Sequence, residues 1–296
     1  MRVIRFADAD SSPVLAALTD EDEAYPLPFA DLIALVAAAS ARGIEPHVLI
    51  RQEFKRGTPI EPLLIQAKLL VPIVAPEVWA AGVTYEKSRQ ARDYEATGGR
   101  MDTTTIYDRV YEAQRPEIFF KSTAARTVGP NDPLDLRTDS NWQIPEPELG
   151  LVLDRTGRIL GYTIGNDMSA RDIEGENPLY LPQAKIWRNS CSIGPAIRLA
   201  ESVSEPYALD IVCRIYRGDR KVVEERANTR QLKRRFDELI GYLSRDNTIF
   251  DGTVLLTGTC AVPPNDFTLQ HGDRIEIEIP GIGVLVNPVR RNGARH

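Results

Sequence analysis

Cysteine and histidine are scarce in this chain, and their scarcity removes several kinds of chemistry. Cys191, Cys213 and Cys260 stand far apart and form no CxxC pair, so neither a zinc ribbon nor a dithiol redox motif is in view. They are expected to be small buried hydrophobes of a reduced, cytoplasmic protein. The histidines are equally isolated: His47 in the N-terminal part, His271 in a QHGD turn, His296 at the last position. Each is expected to be structural or solvated. No apolar run reaches the roughly 20 residues that cross a bilayer. The longest, LIALVAAASA from Leu32 to Ala41, reads as an Ala-rich core helix, and MRVIRFADAD lacks the apolar core of a signal peptide. No membrane partner is expected. GxGxxG and GxxxxGK[ST] are both missing, which leaves dinucleotide and P-loop readings without support.

Positive charge is also in deficit. With 36 Lys and Arg against 42 Asp and Glu, the net charge is −6, and no basic run is interleaved with aromatics, so no nucleic-acid partner is expected. The densest basic stretch, RQLKRR from Arg230 to Arg235, is followed at once by Phe236, Asp237 and Glu238, and reads as a solvated helix face.

What is present is a chain of 296 residues, 43% of them hydrophobic, enough for one large core with an N-terminal appendage. Residues 1–72 read as a small α/β module: RVIRFA alternates as a strand, and a helix is expected from near Pro28 to a stop at Gly43. Pro72 and Pro76 mark the passage into a catalytic domain spanning 73–296. Within it, residues 84–113 read as two charged, weakly apolar helices around Gly98–Gly99, a candidate lid. Beyond Pro116, EIFFK, ELGLVLD, RILGYTIGND, YALDIVCRIYR, TVLLTGT, DRIEIEIP and VLVNPV read as strands. TRQLKRRFDELIGYLSR is the clearest helix. The expected class is therefore α+β, with a mixed, largely antiparallel β-rich catalytic domain.

One stretch carries chemistry: PEPELGLVLDRTGRILGYTIGNDMSARD, Pro145 to Asp172. In a strand, residues two apart share a face, so Glu146 and Glu148 point together while Leu149, Leu151 and Leu153 face a core. Gly150 beside the carboxylates is expected to leave space. A hairpin turning at Asp154–Gly157 sets Glu146 opposite Asn166 or Asp167, and Glu148 opposite Ile164 or Gly165. Three acids then converge with no basic residue between them in sequence, and like carboxylates at such range raise one another's pKa. A hard divalent cation such as Mg²⁺ compensates them through oxygen ligands. With no His or Cys in the cluster, zinc is disfavoured. A solvent-exposed acidic strand edge is the alternative.

PEPELGLVLD, GYTIGNDMSARD, LLTGT and GDRIEIEIPGIGVLVNPV, in that order, resemble the fumarylacetoacetate hydrolase family over about Ala75 to Val289. The resemblance implies a β-rich catalytic domain with Mg²⁺ (Mn²⁺ also suits) on Glu146, Glu148 and Asp167. It further implies substrate contact by Lys185 in YLPQAKIW and by Thr257, Gly258 and Thr259, and assembly as a homodimer or homotetramer. Hydrolase members carry a GxNYxxH motif whose histidine activates water. Here the stretch is GVTYEKS, Gly82 to Ser88, with Ser88 in that place, which puts C–C hydrolysis in doubt. VTYEKSRQAR, RPEIFFK and IEGENPLYLPQAK resemble more specifically the branch of the family that dehydrates 2-keto-3-deoxy-D-arabinonate.

That branch implies a small-molecule 2-keto-3-deoxy sugar acid as substrate and 2,5-dioxopentanoate as product, in pentose catabolism. Lys185 would act as the C3 base or as a charged stabiliser of the enolate, and Glu117 as acid–base at the leaving hydroxyl. Ser88 and Arg89 would hold the substrate's carboxylate or hydroxyls. Lys121 and Arg126 could reach the site, although solvated surface is the commoner fate of such residues. Asp172 and Glu174 are expected to cap or orient neighbours. Derivatives of D-arabinonate, D-xylonate and L-arabinonate all remain open as substrates. Two other readings stand beside this one: a C–C hydrolase or decarboxylase of a β-dicarbonyl acid with Glu86 or Glu95 as base, and a non-catalytic metal-binding protein.

Overall fold

Both faces of the Pro147–Leu153 strand are covered, and the architecture follows from that. The computed structural model describes residues 1–54, 59–60, 69–87, 90, 94 and 106–291. In chain order the strands begin with β1 (Arg2–Ala7), β2 (Pro13–Leu18), β3 (Ala24–Pro26), β4 (Leu69–Leu70), β5 (Glu77–Gly82) and β6 (Glu117–Thr123). Next come β7 (Thr127–Val128), β8 (Leu134–Leu136), β9 (Gln143–Ile144), β10 (Pro147–Leu153), β11 (Ile159–Asp167) and β12 (Ser169–Ala170). The last are β13 (Cys191–Leu199), β14 (Asp210–Arg217), β15 (Arg220–Asn228), β16 (Thr253–Leu256), β17 (Asp273–Ile279) and β18 (Gly283–Arg291). The described helices are α1 (Leu32–Ala41), α2 (Pro46–Phe54), α3 (Ile106–Glu112), α4 (Arg171–Glu176), α5 (Leu181–Lys185) and α6 (Phe236–Leu243).

The main sheet runs β3-β2-β1-β13-β11-β10-β16-β5-β6, and a five-stranded sheet runs β15-β14-β17-β18-β8. Most pairings are antiparallel; β16 with β5, β13 with β7 and β18 with β8 are parallel. Leu149, Leu151 and Leu153 pack with Cys213, Ile215, Ile275 and Ile277 of the second sheet. Val152, Val254 and Leu256 pack on the opposite side with Leu35, Val36, Leu49 and Ile50 of α1 and α2. A strand buried on both faces reads as a nearly continuous apolar run, and ELGLVL does. This mixed, largely antiparallel architecture is the expected class.

The N-terminal strands join the same sheet. Arg2 and Val3 of β1 pair with Arg198 and Ile197 of β13, so hydrogen bonding is continuous across residue 72. α1 starts at Leu32, later than the start expected near Pro28, because the Asp31 side chain accepts from the Ala34 N–H and caps it there. Two sequence expectations need correction, and one strand has no counterpart among the expected ones. Arg230–Arg235 is not a helix face: Thr229–Gln231 form a single 3₁₀ turn and the helix begins at Phe236. β13, with Gly194 and Pro195 at its centre, is a strand that turn-forming residues conceal. Gly150 does not open space, since a Cβ there would lie 3.0 Å from Thr163 Cγ2 and 3.3 Å from Leu256 Cδ2.

Candidate active site and metal centre

The hairpin forms in the register that brings the acids together. Pro147 stands opposite Asn166 and Glu148 opposite Gly165, while the Asp167 N–H donates to the Glu146 carbonyl at 2.9 Å. Glu146, Glu148 and Asp167 are each no more than 4% exposed, and each offers a carboxylate oxygen within 4.8 Å of the others. The exposed acidic edge is thereby excluded.

Basic residues remote in sequence converge on the same point. Lys185, fully buried at the end of α5, donates from Nζ to Glu146 Oε2 (2.6 Å), Asp167 Oδ2 (3.1 Å) and Ser169 Oγ (2.6 Å). Lys121 on β6 is also fully buried; its Nζ pairs with Asp167 Oδ1 at 2.7 Å and donates to the carbonyls of Met168 and Lys185. Arg171, at the start of α4, donates from Nη2 to Glu146 Oε1 at 2.8 Å. The expectation of solvated surface for Lys121 therefore fails. No periodicity marks Lys121 or Arg171 as buried, because each lies inside through partners that only the fold supplies. Arg126 is exposed and bonds Thr123.

The electrostatics divide the three acids. Burial pushes the Asp167 carboxyl up, but the Lys121 and Lys185 ammonium groups outweigh it and hold Asp167 below the usual carboxylate range. Glu148 goes the other way: burial first, then the neighbouring Asp167 and Glu146 charges, push its carboxyl well above that range. Its Oε2 accepts the Gly258 N–H at 2.6 Å, and no lysine or arginine pairs with it among the described residues. A cluster of three buried carboxylates, one short of a basic partner, fits a hard divalent cation with oxygen ligands.

The pocket above these acids is lined also by Ala81, Gly82, Val83, Phe119 and Thr259. Val83 holds φ at 52°, a strained backbone for a β-branched residue. Two glycines set its walls. The Glu117 carboxylate lies where a Cβ on Gly82 would be, 2.1 Å from that position, so Gly82 lets Glu117 reach the pocket rim. Gly258, at φ +96°, would place a Cβ 1.9 Å from Thr84 Oγ1, and Thr84 in turn donates to the Thr257 carbonyl at 2.7 Å. The TGT residues divide their work: the Thr257 hydroxyl donates to the Leu149 carbonyl at 3.0 Å, the Gly258 N–H holds Glu148, and Thr259 Oγ1 is buried with no hydrogen-bond partner among the described residues. Only the last is left to meet a ligand through its side chain.

Ser88, Arg89 and Glu95 lie outside the described residues. Glu86 is exposed. Asp172 accepts from Ser140 Oγ (2.6 Å) and the Asn141 N–H (2.7 Å), and Glu174 is buried on α4; neither belongs to the carboxylate triad. His47 pairs with Glu201, and His271 is exposed and accepts the Arg291 N–H. Neither histidine lines the pocket.

Comparison with known proteins shows the family of the chain. Residues 78–290 match the family model for the fumarylacetoacetate (FAA) hydrolase C-terminal domain. The "Probable 2-keto-3-deoxyxylonate dehydratase" of Haloferax volcanii is 48% identical over 230 residues, 78% of each chain. The 2-dehydro-3-deoxy-D-arabinonate dehydratase of Saccharolobus solfataricus is 48% identical over 224 residues, 76% of this chain and 75% of that one. A solved structure of 2-keto-3-deoxy-D-arabinonate dehydratase complexed with magnesium and 2,5-dioxopentanoate superposes with a TM-score of 0.84 at 37% identity, covering 99% of this chain and all of the other.

Proposed function

The chain belongs to the fumarylacetoacetate hydrolase family, and from that premise we propose that it is a magnesium-dependent hydro-lyase converting a 2-keto-3-deoxy pentonate to 2,5-dioxopentanoate. The carrying observation is the buried triad of Glu146, Glu148 and Asp167 with the Lys185 ammonium among its oxygens and Glu117 at the rim. When bound, the cation supplies Lewis-acid stabilisation of negative charge on the 2-oxo oxygen. The protein's own groups do the rest. Lys185, having first lost its ammonium proton to solvent, takes a proton from C3 as the free amine, protonated Glu117 gives one to the departing C4 hydroxyl, and water leaves. The resulting conjugated acid still carries its C5 alcohol. Ionised Glu117 removes a C5 proton while Lys185 returns one to C3. The enol so formed at C4–C5 tautomerises to the aldehyde, and both side chains end as they began. Thr259 Oγ1 offers the unpartnered hydroxyl that orients the substrate.

Once C2 is a ketone and C3 a methylene, C4 is the one stereocentre left. The derivatives of D-arabinonate and D-xylonate are then one compound, and specificity reduces to C4 configuration. The test is turnover of both C4 enantiomers of the keto acid, with EDTA and after Mg²⁺ is restored, following aldehyde by its coupled oxidation. Metal-dependent aldehyde from one enantiomer is expected; none from either would sink the reading. A role in pentose catabolism belongs to the same proposal. So do a cytoplasmic location, supported by the three free buried cysteines, and a homo-oligomer, supported by large exposed apolar side chains such as Leu179 and testable by sedimentation.

Thr259→Val tests the orienting hydroxyl. Because that hydroxyl has no partner among the described residues, its loss costs no hydrogen bond there, and the melting temperature is expected to hold or rise. KM is expected to rise by roughly tenfold, about one hydrogen bond's worth. Unchanged KM with a lower melting temperature would contradict the assignment.

A further inference from the structure

Arg234, in the basic run that reads as solvated surface, is buried (7% exposed). Its guanidinium points into the end of the segment that precedes Glu117. Nη2 donates to the carbonyls of Ala113, Val110 (3.3 Å) and Tyr111 (3.4 Å), and Nη1 to that of Gln114 (3.4 Å). Nη1 also pairs with Glu238 Oε1 at 2.7 Å, which fixes the guanidinium to the first turn of α6. Lys233 beside it donates from Nζ to the Tyr111 carbonyl at 2.6 Å, pairs with Glu112, and lies 3.8 Å over the Tyr111 ring. The Lys233 N–H donates to the Thr84 carbonyl at 3.0 Å. Residues 233–234 thus hold both the exit of β5 and the approach to β6, the two strands that pair Gly82 with Glu117.

We propose that Arg234 is a positioning residue for the dehydration: by gathering the carbonyls of 110–114 it fixes where β6 begins, and so keeps the Glu117 carboxylate over Gly82 at the rim of the metal pocket. The physical reason is short reach. Only Arg115 and Pro116 separate Gln114 from Glu117; proline fixes one of the intervening dihedrals, and Arg115 is laid over the Tyr242 ring of α6 at 5.2 Å. A displacement of Gln114 is passed to Glu117 with little slack. A planar five-donor fork suits this task, and a lysine's single ammonium does not. The inference rests on the dehydratase reading for the role of Glu117, whereas the clamp itself stands on the contacts.

The test is a cycle of Arg234→Gln, Glu117→Gln and the double variant, with kcat, KM and Mn²⁺ affinity measured for each. Arg234→Gln is expected to lower kcat by roughly 10- to 100-fold, the scale of an ångström-level misplacement, with KM and Mn²⁺ affinity within about twofold of wild type. The double variant should be no slower than Glu117→Gln, since the two act as one unit. Losses that multiply, or a fall in Mn²⁺ affinity, would overturn the proposal. Hydrogen exchange is read in parallel: amides of 108–118 should exchange faster in Arg234→Gln and those of 146–167 should not change. Unaltered exchange at 108–118 would also overturn it. If the wild type turns over neither enantiomer, the dehydratase reading falls and the exchange result alone decides the clamp. Should Arg234→Gln fail to fold, Arg234→Lys, which keeps the charge facing Glu238, carries the same measurements.

Discussion

Replacing Glu148 with glutamine is expected to abolish turnover and, in the metal-free protein, to raise stability at neutral and alkaline pH. The Glu148 carboxyl is driven well above its ordinary range by burial and by the Asp167 and Glu146 charges. Between the unfolded-state value near 4.3 and the higher folded value, the folded protein binds more protons at this site than the unfolded chain. Stability therefore falls as pH rises through that window. Glutamine keeps an acceptor for the Gly258 N–H, which Glu148 receives at 2.6 Å, and removes the titration. In EDTA the variant should melt higher than wild type at pH 8, and the difference should vanish near pH 4, where both states carry the proton. With Mg²⁺ the order reverses, because binding to the folded state stabilises the wild type alone. Turnover should fall by more than the roughly 10- to 100-fold that loss of a supporting group around a metal costs. Thermal melts at the two pH values, with and without Mg²⁺, read all of this. A variant that melts lower than wild type at pH 8 in EDTA would mean that Glu148 is stabilised as a carboxylate by the protein itself.

Replacing Lys185 with methionine is expected to separate catalysis from metal binding. The side chain is fully buried and its Nζ contacts Glu146, Asp167 and Ser169. As the group that moves the C3 proton, its loss should lower kcat by about 10²- to 10⁴-fold. Glu146 and Asp167 each lose a cation, and breaking a buried pair from one side costs about 3–5 kcal/mol, so the metal-free variant should melt well below wild type. Asp167 keeps Lys121 at 2.7 Å and Glu146 keeps Arg171 at 2.8 Å, so the carboxylates stay in place. Mg²⁺ should recover much of the lost stability, and its affinity should hold or rise once the competing ammonium is gone. Calorimetric titration with Mg²⁺ beside single-turnover rates checks the pair. Affinity and rate falling together would reduce Lys185 to a structural counter-ion. Arginine at this position should not restore the rate, since its guanidinium stays protonated and is too large for the buried space.

How far the sequence shows these features depends on the range over which their causes act. The hairpin is legible because it is local: the two-residue period puts Glu146 and Glu148 on one face, and the turn at Gly157, with the Gly157 N–H donating to the Asp154 carbonyl at 2.9 Å, returns Asp167 beside them. The leucine face is legible for the same reason. The approach of Lys185 is legible only through resemblance, since nothing in YLPQAKIW announces a buried ammonium. Arg171 and Arg234 are hidden altogether, and Lys121 is legible only as a residue that could reach the site. A lysine or arginine reads as solvated until its partners are known, and these partners come from β11, from the residue before β10 and from residues 110–114.

The sequence by itself determined the class of the fold, the acidic hairpin and the kind of ion it suits, because strand periodicity and turn chemistry operate over a few residues. Tertiary structure alone decided how those acids are balanced. Burial depends on what the rest of the chain lays across the strand, and so do the placement of three cations around Glu146 and Asp167, the raised carboxyl of Glu148 and the single free hydroxyl of the TGT segment. Desolvation and charge pairing act through space between elements far apart in the chain, and those neighbours exist only once the sheets have closed over the site.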